Sequence, residues 1–297
     1  MGGGYPPNWK DTVEQAKCNL EKKGYTCPSL PINFRNSKEI FDCTNNIKSD
    51  ANATTTDVQK VLQVNKKGNT ISSSPPTMYN FNCIQNKMKQ EDLNNVFGKG
   101  VNELRERMYD SENNAYVVLY DDDMFDLKSI YDSLAKQEKN IKSYPSYHDP
   151  DPEKELKDFL HAPVGCLITT HKLFKGAECE NALILQRSSS TSHNLRGTLM
   201  RVVSHLVILN GVSDQGDLVE YGNIVIQNDL LYCMVGNECN NMFECLTCKN
   251  VSNNEKKETK FMCCSCKMRC HENKNHEFKL CDVQNLNKKC ECVKCKK

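Results

Sequence analysis

Ala115-Tyr116-Val117-Val118-Leu119-Tyr120 is an unbroken apolar run, followed by Asp121-Asp122-Asp123 and then by an amphipathic stretch from 125 to 135. The run has the length of a strand, and its β-branched and aromatic side chains suit a pleated surface buried on both sides. The acidic triplet breaks it, and the apolar spacing beyond changes from continuous to helical. The unit reads as strand, turn, helix.

The same alternation extends in both directions. Upstream, Met88, Leu93, Val96, Phe97, Val101, Leu104 and Met108 form a helical stripe within 84 to 110, whose role is core packing. Downstream, 136 to 158 is polar with three prolines and reads as a connector, and Gly165 to Thr170 is again strand-like. Ala182 to Gln186 and Leu206 to Leu209 read as strands, with a helix over Leu195 to Ser204 between them, and Ile224-Val225-Ile226 as a last strand. Strands alternating with helices imply an α/β fold with a parallel sheet. Residues 44 to 80 are rich in Asn, Thr, Ser and Lys and read as a polar insertion.

At 297 residues and 38% hydrophobic, the chain suffices for one ordinary core and a small second module, divided near 230 into 1–230 and 231–297. The formal net charge of +1 supplies no overall attraction to nucleic acid. No apolar run approaches the roughly 20 residues needed to span a bilayer, and MGGGYPPNWK has no signal-peptide core. The reading is a soluble, intracellular protein, cytoplasmic or nuclear, without membrane association.

In such a compartment a dense cysteine array is metal-bound rather than oxidised. Twelve of the eighteen cysteines fall in the last 65 residues. Their spacing is that of zinc ligands: Cys239, Cys245-x2-Cys248, Cys263-x2-Cys266-x3-Cys270-His271-x4-His276, then Cys290-x-Cys292-x2-Cys295. One zinc takes four ligands, so this set suffices for two ions, or three with shared ligands. The pairing of ligands to ions stays open, and Cys264 and Cys281 are read as free thiols. Large apolar residues are sparse here, so metal must supply most of the folding free energy, on the order of 10 kcal/mol per structural zinc.

The ligand order over 239 to 295 resembles the UBR box, the zinc-binding substrate-recognition domain of N-degron ubiquitin ligases, in its short divergent form. Either Cys233 or Cys239 fills the place of the family's first cysteine. The resemblance implies binding of a protein or peptide N-terminus through acidic side chains. The CxxC that carries such an Asp in the family holds Leu246-Thr247 here; Glu244, Asp282 and Glu291 are the acidic residues within reach in sequence.

Short segments of the α/β unit resemble, in order, the second RecA-like domain of superfamily 1 helicases, part of the P-loop NTPase fold. Asn33-Phe34-Arg35-Asn36-Ser37 is similar to that family's "NYRS" motif. AYVVLY is similar to its "AVLYR" strand, with Asp121 in place of the arginine. Thr169-Thr170-His171-Lys172-Leu173-Phe174-Lys175-Gly176-Ala177-Glu178 is similar to "TIHKSKGLE", and Leu199 to Ser204 to "VALTRA". The resemblance implies a vestigial nucleotide site of Arg35, Gly176, Glu178 and Arg201, with the two arginines on one face of the sheet. Guanidinium groups suit phosphate because they donate in pairs.

The sequence has no G-x-x-x-x-G-K-[ST], so the phosphate-cradling loop is missing and ATP hydrolysis is not expected. RING and HECT signatures are missing too. Cys166, Cys179, His171 and His205 show no nucleophile signature and read as core cysteines and surface histidines. The leading functional reading is a zinc-binding adaptor in a ubiquitin-related pathway. The alternative is the C-terminal part of a nucleic-acid-dependent NTPase or helicase, with nucleic acid as its partner.

Overall fold

The computed structural model describes residues 15, 18–24, 36–45, 74–83, 90–109, 114–122, 125–187, 197–212, 223–231, 242–246, 261–271 and 278–280. Among these, no helix is long and apolar enough to cross a membrane. In chain order the first unit contains α1 (Lys38–Asn45), β1 (Thr77–Asn82), α2 (Gln90–Arg107), β2 (Tyr116–Tyr120) and α3 (Leu127–Leu134). It continues with β3 (Ile141–Tyr144), α4 (Lys154–His161), β4 (Cys166–Thr170), β5 (Cys179–Arg187), β6 (Val202–Val212) and β7 (Val225–Leu230). The cysteine-rich part adds β8 (Met242–Cys245), β9 (Phe261–Cys263), α5 (Cys264–His271) and β10 (Phe278–Leu280).

The first seven strands form one sheet in the order β3-β4-β2-β5-β6-β1-β7, and every pair is parallel. The expected α/β fold with a parallel sheet is present. β2 lies inside this sheet, and all of its residues are buried, as a continuous apolar run requires. Successive side chains alternate between two layers. Tyr116, Val118, Leu183, Leu185, Val207 and Leu209 pack with Leu93, Val96, Phe97, Val101 and Leu104 of α2 and Ile130 and Leu134 of α3. On the other face, Val117, Leu119, Ile184 and Ile208 pack with Ile40 of α1, Phe159 of α4 and Leu199.

Glycine sets two close approaches. A Cβ on Gly100 would lie 2.9 Å from side-chain carbons of both Leu183 and Leu209, so α2 reaches the sheet only because this position is bare. Gly165 has φ +76° and sits against the backbone oxygen of Asn140, which accepts from Cys166 N at 2.9 Å; Gly165 O in turn accepts from Tyr116 N at 3.1 Å. This one turn joins the starts of β3, β4 and β2.

Three differences from the sequence reading have physical causes. Thr77 to Asn80 fall in the expected insertion but form most of β1, an interior strand. Asparagine disfavours strands unless its amide finds partners. Here Gln186 Nε2 donates to Asn210 Oδ1 at 3.2 Å, Asn210 Nδ2 to Asn80 Oδ1 at 2.7 Å, and Asn80 Nδ2 to Asn228 Oδ1 at 2.8 Å. The amides cross β5, β6, β1 and β7 in a single row. Second, the polar connector contains edge strand β3 and helix α4. Buried Glu155 organises it, accepting from Ser143 N at 2.5 Å and Ser146 Oγ at 2.9 Å. Third, the expected helix over 195 to 204 is a single turn at 197–199, and β6 starts at Val202. Val202 and Val203 are β-branched, and pairing along both β5 and β1 extends the strand. Between β4 and β5, residues 171–178 contain turns and no helix.

The amide row yields a prediction. Asn210→Leu strands the Gln186 donor and the Asn80 acceptor in the interior, at about 1–3 kcal/mol for each unsatisfied group. Urea unfolding should therefore show a loss of roughly 2–4 kcal/mol. A variant as stable as the parent would mean that the row adds nothing.

Candidate functional site

At the end of β4 the chain turns through residues 171–176 and enters β5 at Cys179. The turn is built locally. Thr170 Oγ1 accepts from Leu173 N at 3.2 Å, Thr170 O accepts from Phe174 N at 3.0 Å, and Phe174 O accepts from Ala177 N at 3.1 Å. Gly176 stands at φ +96°, in the left-handed region that favours glycine, with open space where a Cβ would lie. Gly176 and Glu178 are exposed.

Arg201 lies directly against this loop. Its Nη1 donates to Phe174 O at 2.7 Å and Ala177 O at 3.4 Å, and its Nε donates to Gly197 O at 3.1 Å. The main chain joins in, because Arg201 O accepts from Cys179 N at 3.1 Å. The guanidinium closes the loop onto the start of β6, bonded to three carbonyls, an arrangement suited to holding the loop in shape. Arg201 thus binds the loop that carries Gly176 and Glu178, through the carbonyls of Phe174 and Ala177. Arg35 lies outside the described residues. Its neighbour Asn36 donates from Nδ2 to Met200 O at 2.9 Å and Val202 O at 2.6 Å, and Ser37 N donates to Val203 O at 2.8 Å. The segment after Arg35 is therefore pinned on both sides of Arg201. The sequence reading overlooked Asn36, although its place inside the "NYRS"-like motif was visible.

Replacing Arg201 by Lys removes this forked donation, since an ammonium cannot meet the three carbonyls in one plane. Arg201→Lys is expected to lose about 1–2 kcal/mol of stability, with faster amide exchange confined to 171–179 and 197–203. Unchanged exchange in those segments would show that the loop holds without the fork.

The histidines depart from the surface reading. His171 Nδ1 and His205 Nδ1 are both buried, and neither has a hydrogen-bond partner among the described residues. Burial pushes the His171 imidazole down to about 4, against the opposing pull of Asp121 and then Asp122. His205 is lowered by burial and then by Arg107. A depressed histidine binds its proton more readily unfolded than folded, so its contribution is complete above the ordinary value of 6.5 and is lost as pH falls towards 4. At the lower end this amounts to about 3 kcal/mol for His171. Denaturation curves between pH 7 and 4 should be flattened by His171→Gln; an unaltered slope would assign the acid sensitivity elsewhere. Burial also raises the Cys166 thiol, and raises that of Cys179 to about 12, so neither is a nucleophile at neutral pH. The core reading of these two cysteines agrees with that.

In the cysteine-rich part, β8 is the centre of a three-stranded antiparallel sheet, β10-β8-β9. Cys245 ends β8 opposite Phe278, and Cys263 ends β9 opposite Met242. Cys266, Cys270 and His271 all belong to α5, which follows β9 directly. Cys245 and Cys266 are buried. Phe243 and Phe278 flank Lys267, whose Nζ lies 4.5 Å and 5.1 Å from the two ring centroids. Cys239, Cys248, His276, Cys290, Cys292 and Cys295 lie outside the described residues, as do Asp282 and Glu291. Cys245, Cys263, Cys266, Cys270 and His271 thus stand on the backbone of one small sheet and the helix that follows it. Thiol and imidazole are donors that zinc accepts, and no group of three or more such side chains placed to hold an ion is found among the described residues.

No protein-family model matches the chain, and no curated protein matches it. Among solved structures, it is similar to the C-terminal domain of a possible DNA helicase from Lactobacillus plantarum WCFS1, at 14% identity and a TM-score of 0.38. That likeness covers 65% of this chain and 98% of the other. It is too distant to transfer a residue role or an activity.

Proposed function

We propose that this chain is a zinc-binding adaptor: a RecA-like α/β unit without nucleotide chemistry, joined to a UBR-like zinc module that binds the N-terminus of a protein or peptide in a ubiquitin-related pathway. The observation that carries the non-catalytic part is the state of Arg201. A finger arginine directs its forked donors at phosphate oxygens, whereas Nη1 and Nε here bond to Phe174, Ala177 and Gly197 carbonyls and leave only Nη2 for another acceptor. The zinc part is supported by the ligand spacing, with Cys245, Cys263, Cys266, Cys270 and His271 carried on β8, β9 and the helix that follows. N-terminus recognition is supported by the ligand order alone; of the acidic residues singled out for it, Glu244 lies on β8 beside Cys245.

Two binding experiments test this reading. Peptides that differ only in their first residue, or in acetylation of the α-amine, should bind the full chain with different affinities, because a charged amine next to a carboxylate forms a charge-assisted hydrogen bond that acetylation abolishes. Equal affinities across the series would sink the recognition claim. A fluorescent adenine nucleotide should not bind at micromolar concentrations. Saturable binding that is lost in Arg201→Ala would favour the alternative, a part of a nucleic-acid-dependent NTPase.

A further inference from the structure

Helix α5 does not stand clear of the large sheet. Asn82 at the end of β1 donates from Nδ2 to Ser265 Oγ at 2.7 Å, a buried contact. Asn228 of β7 donates from Nδ2 to the main-chain oxygen of Met268 at 3.4 Å. Met268 is itself buried, in a cluster with Val212 from the end of β6 and Leu231 just after β7, and Phe243 of β8 packs against the three. Asn82, Val212 and Leu231 lie at the carboxyl ends of parallel strands, and Asn228 lies in the second half of β7. Open parallel sheets place their ligands along that edge. On the β1 and β7 side, this chain places its own helix there.

The contact does not stop at the edge. Asn228 is the last member of the amide row, so hydrogen bonds run without a gap from the Met268 carbonyl through Asn228, Asn80 and Asn210 to Gln186 on β5, in the middle of the sheet. The same helix carries Cys266, Cys270 and His271. At eight residues it is too short to hold its shape alone in water, where a helix needs roughly 12–15 residues even to be marginal. Its helical form therefore depends on what it touches, on the sheet side and on the metal side.

We infer that zinc loading of the cysteine-rich module and closure of the carboxyl edge of the large sheet form one coupled equilibrium, transmitted by α5. The inference rests on the zinc reading above. Without metal, α5 loses its helical form, the Asn82 and Asn228 amides lose their acceptors, and the edge formed by β1 and β7 opens. Linkage makes the effect reciprocal: a preformed seat at the sheet edge tightens zinc binding by the factor by which zinc stabilises the edge. The module is then a metal-dependent cap on the sheet, and a partner seeking that edge would find it covered in the zinc-loaded state and accessible in the zinc-free one.

Hydrogen exchange on the full chain tests this, with zinc content counted by native mass spectrometry before and after chelation. Segments 77–83 and 225–231 should exchange about tenfold faster once zinc is removed, the change that loss of one buried hydrogen bond produces. β2 and β4, on the far side of β5, should not change. The double variant Ser265→Ala, Asn228→Ala touches no cysteine and should hold zinc about tenfold less tightly against a competing chelator, by the same reciprocity. Zinc that binds and leaves with no change in either segment overturns the coupling and leaves the zinc reading intact. Zinc affinity unaltered in the double variant overturns the assignment of the coupling to α5. A chain that never binds zinc overturns both the coupling and the reading beneath it.

Discussion

Gly165→Ala should be among the most damaging single substitutions in the α/β unit, although it adds one methyl group. The residue sits at φ +76°, where an L side chain is strained by about 1–2 kcal/mol. Its new Cβ would overlap the backbone oxygen of Asn140. That oxygen cannot move aside cheaply, because it accepts the hydrogen bond from Cys166 N that sets β4 beside β3. Overpacking of this kind adds about 1–3 kcal/mol. A total loss of roughly 2–5 kcal/mol is expected in denaturant unfolding, with exchange rising first in 140–144 and 165–167. Gly197→Ala is the natural control, since no atom lies within 4 Å of its added Cβ. Equal stability of the two variants would mean that the turn at Gly165 has room the structure denies it.

The second large effect is that of metal removal. The three strands β8, β9 and β10 are three or four residues long and α5 is eight, lengths that do not hold their shape alone in water. Among the described side chains of these elements, Cys245, Met262, Ser265, Cys266 and Met268 are buried. Chelation should therefore abolish the protection of 242–246 and 261–271 and render them sensitive to proteases, with a free-energy change on the order of 10 kcal/mol per zinc. The seven-stranded sheet, with its own two-sided core, should retain its protection away from β1 and β7. Acid should act in the same direction, because protons compete with the metal for thiolate and imidazole donors. Far-ultraviolet circular dichroism and limited proteolysis read both effects. A tail equally protected with and without chelator would remove metal from the account of its folding.

How far the sequence foretold this structure depends on what each residue answers to. β2 and β4 were legible because strands buried on both faces need apolar side chains at every position, and AYVVLY and CLITT come close to that. α2 was legible from its stripe of Leu93, Val96, Phe97, Val101 and Leu104. β1 was not, since TMYNFN looks like turn chemistry until the partners of Asn80 and Asn82 are known, and those lie on strands and a helix 130 to 183 positions further along the chain. β3 and α4 were hidden by three prolines and by a helix in which Phe159 is the one buried apolar residue. In the candidate site, the helicase resemblance grouped Arg201 with Gly176 and Glu178, and the structure has Arg201 bonded to carbonyls of the same loop. The resemblance did not foretell that the guanidinium would bind the loop's own carbonyls, because a sequence pattern records which residues are near and not which acceptors they choose. The partial burial of His171 and His205 also escaped notice, since His171 stands between Thr170 and Lys172 and His205 follows Ser204, polar neighbours that read as surface.

Native mass spectrometry of the full chain, purified with zinc and without chelator, tests the central claim most directly. The account predicts two or three zinc ions per chain, lost together with the protection of 261–271 when a strong chelator is added. A chain that carries no zinc, yet keeps α5 and the β8 to β10 sheet protected, would contradict it.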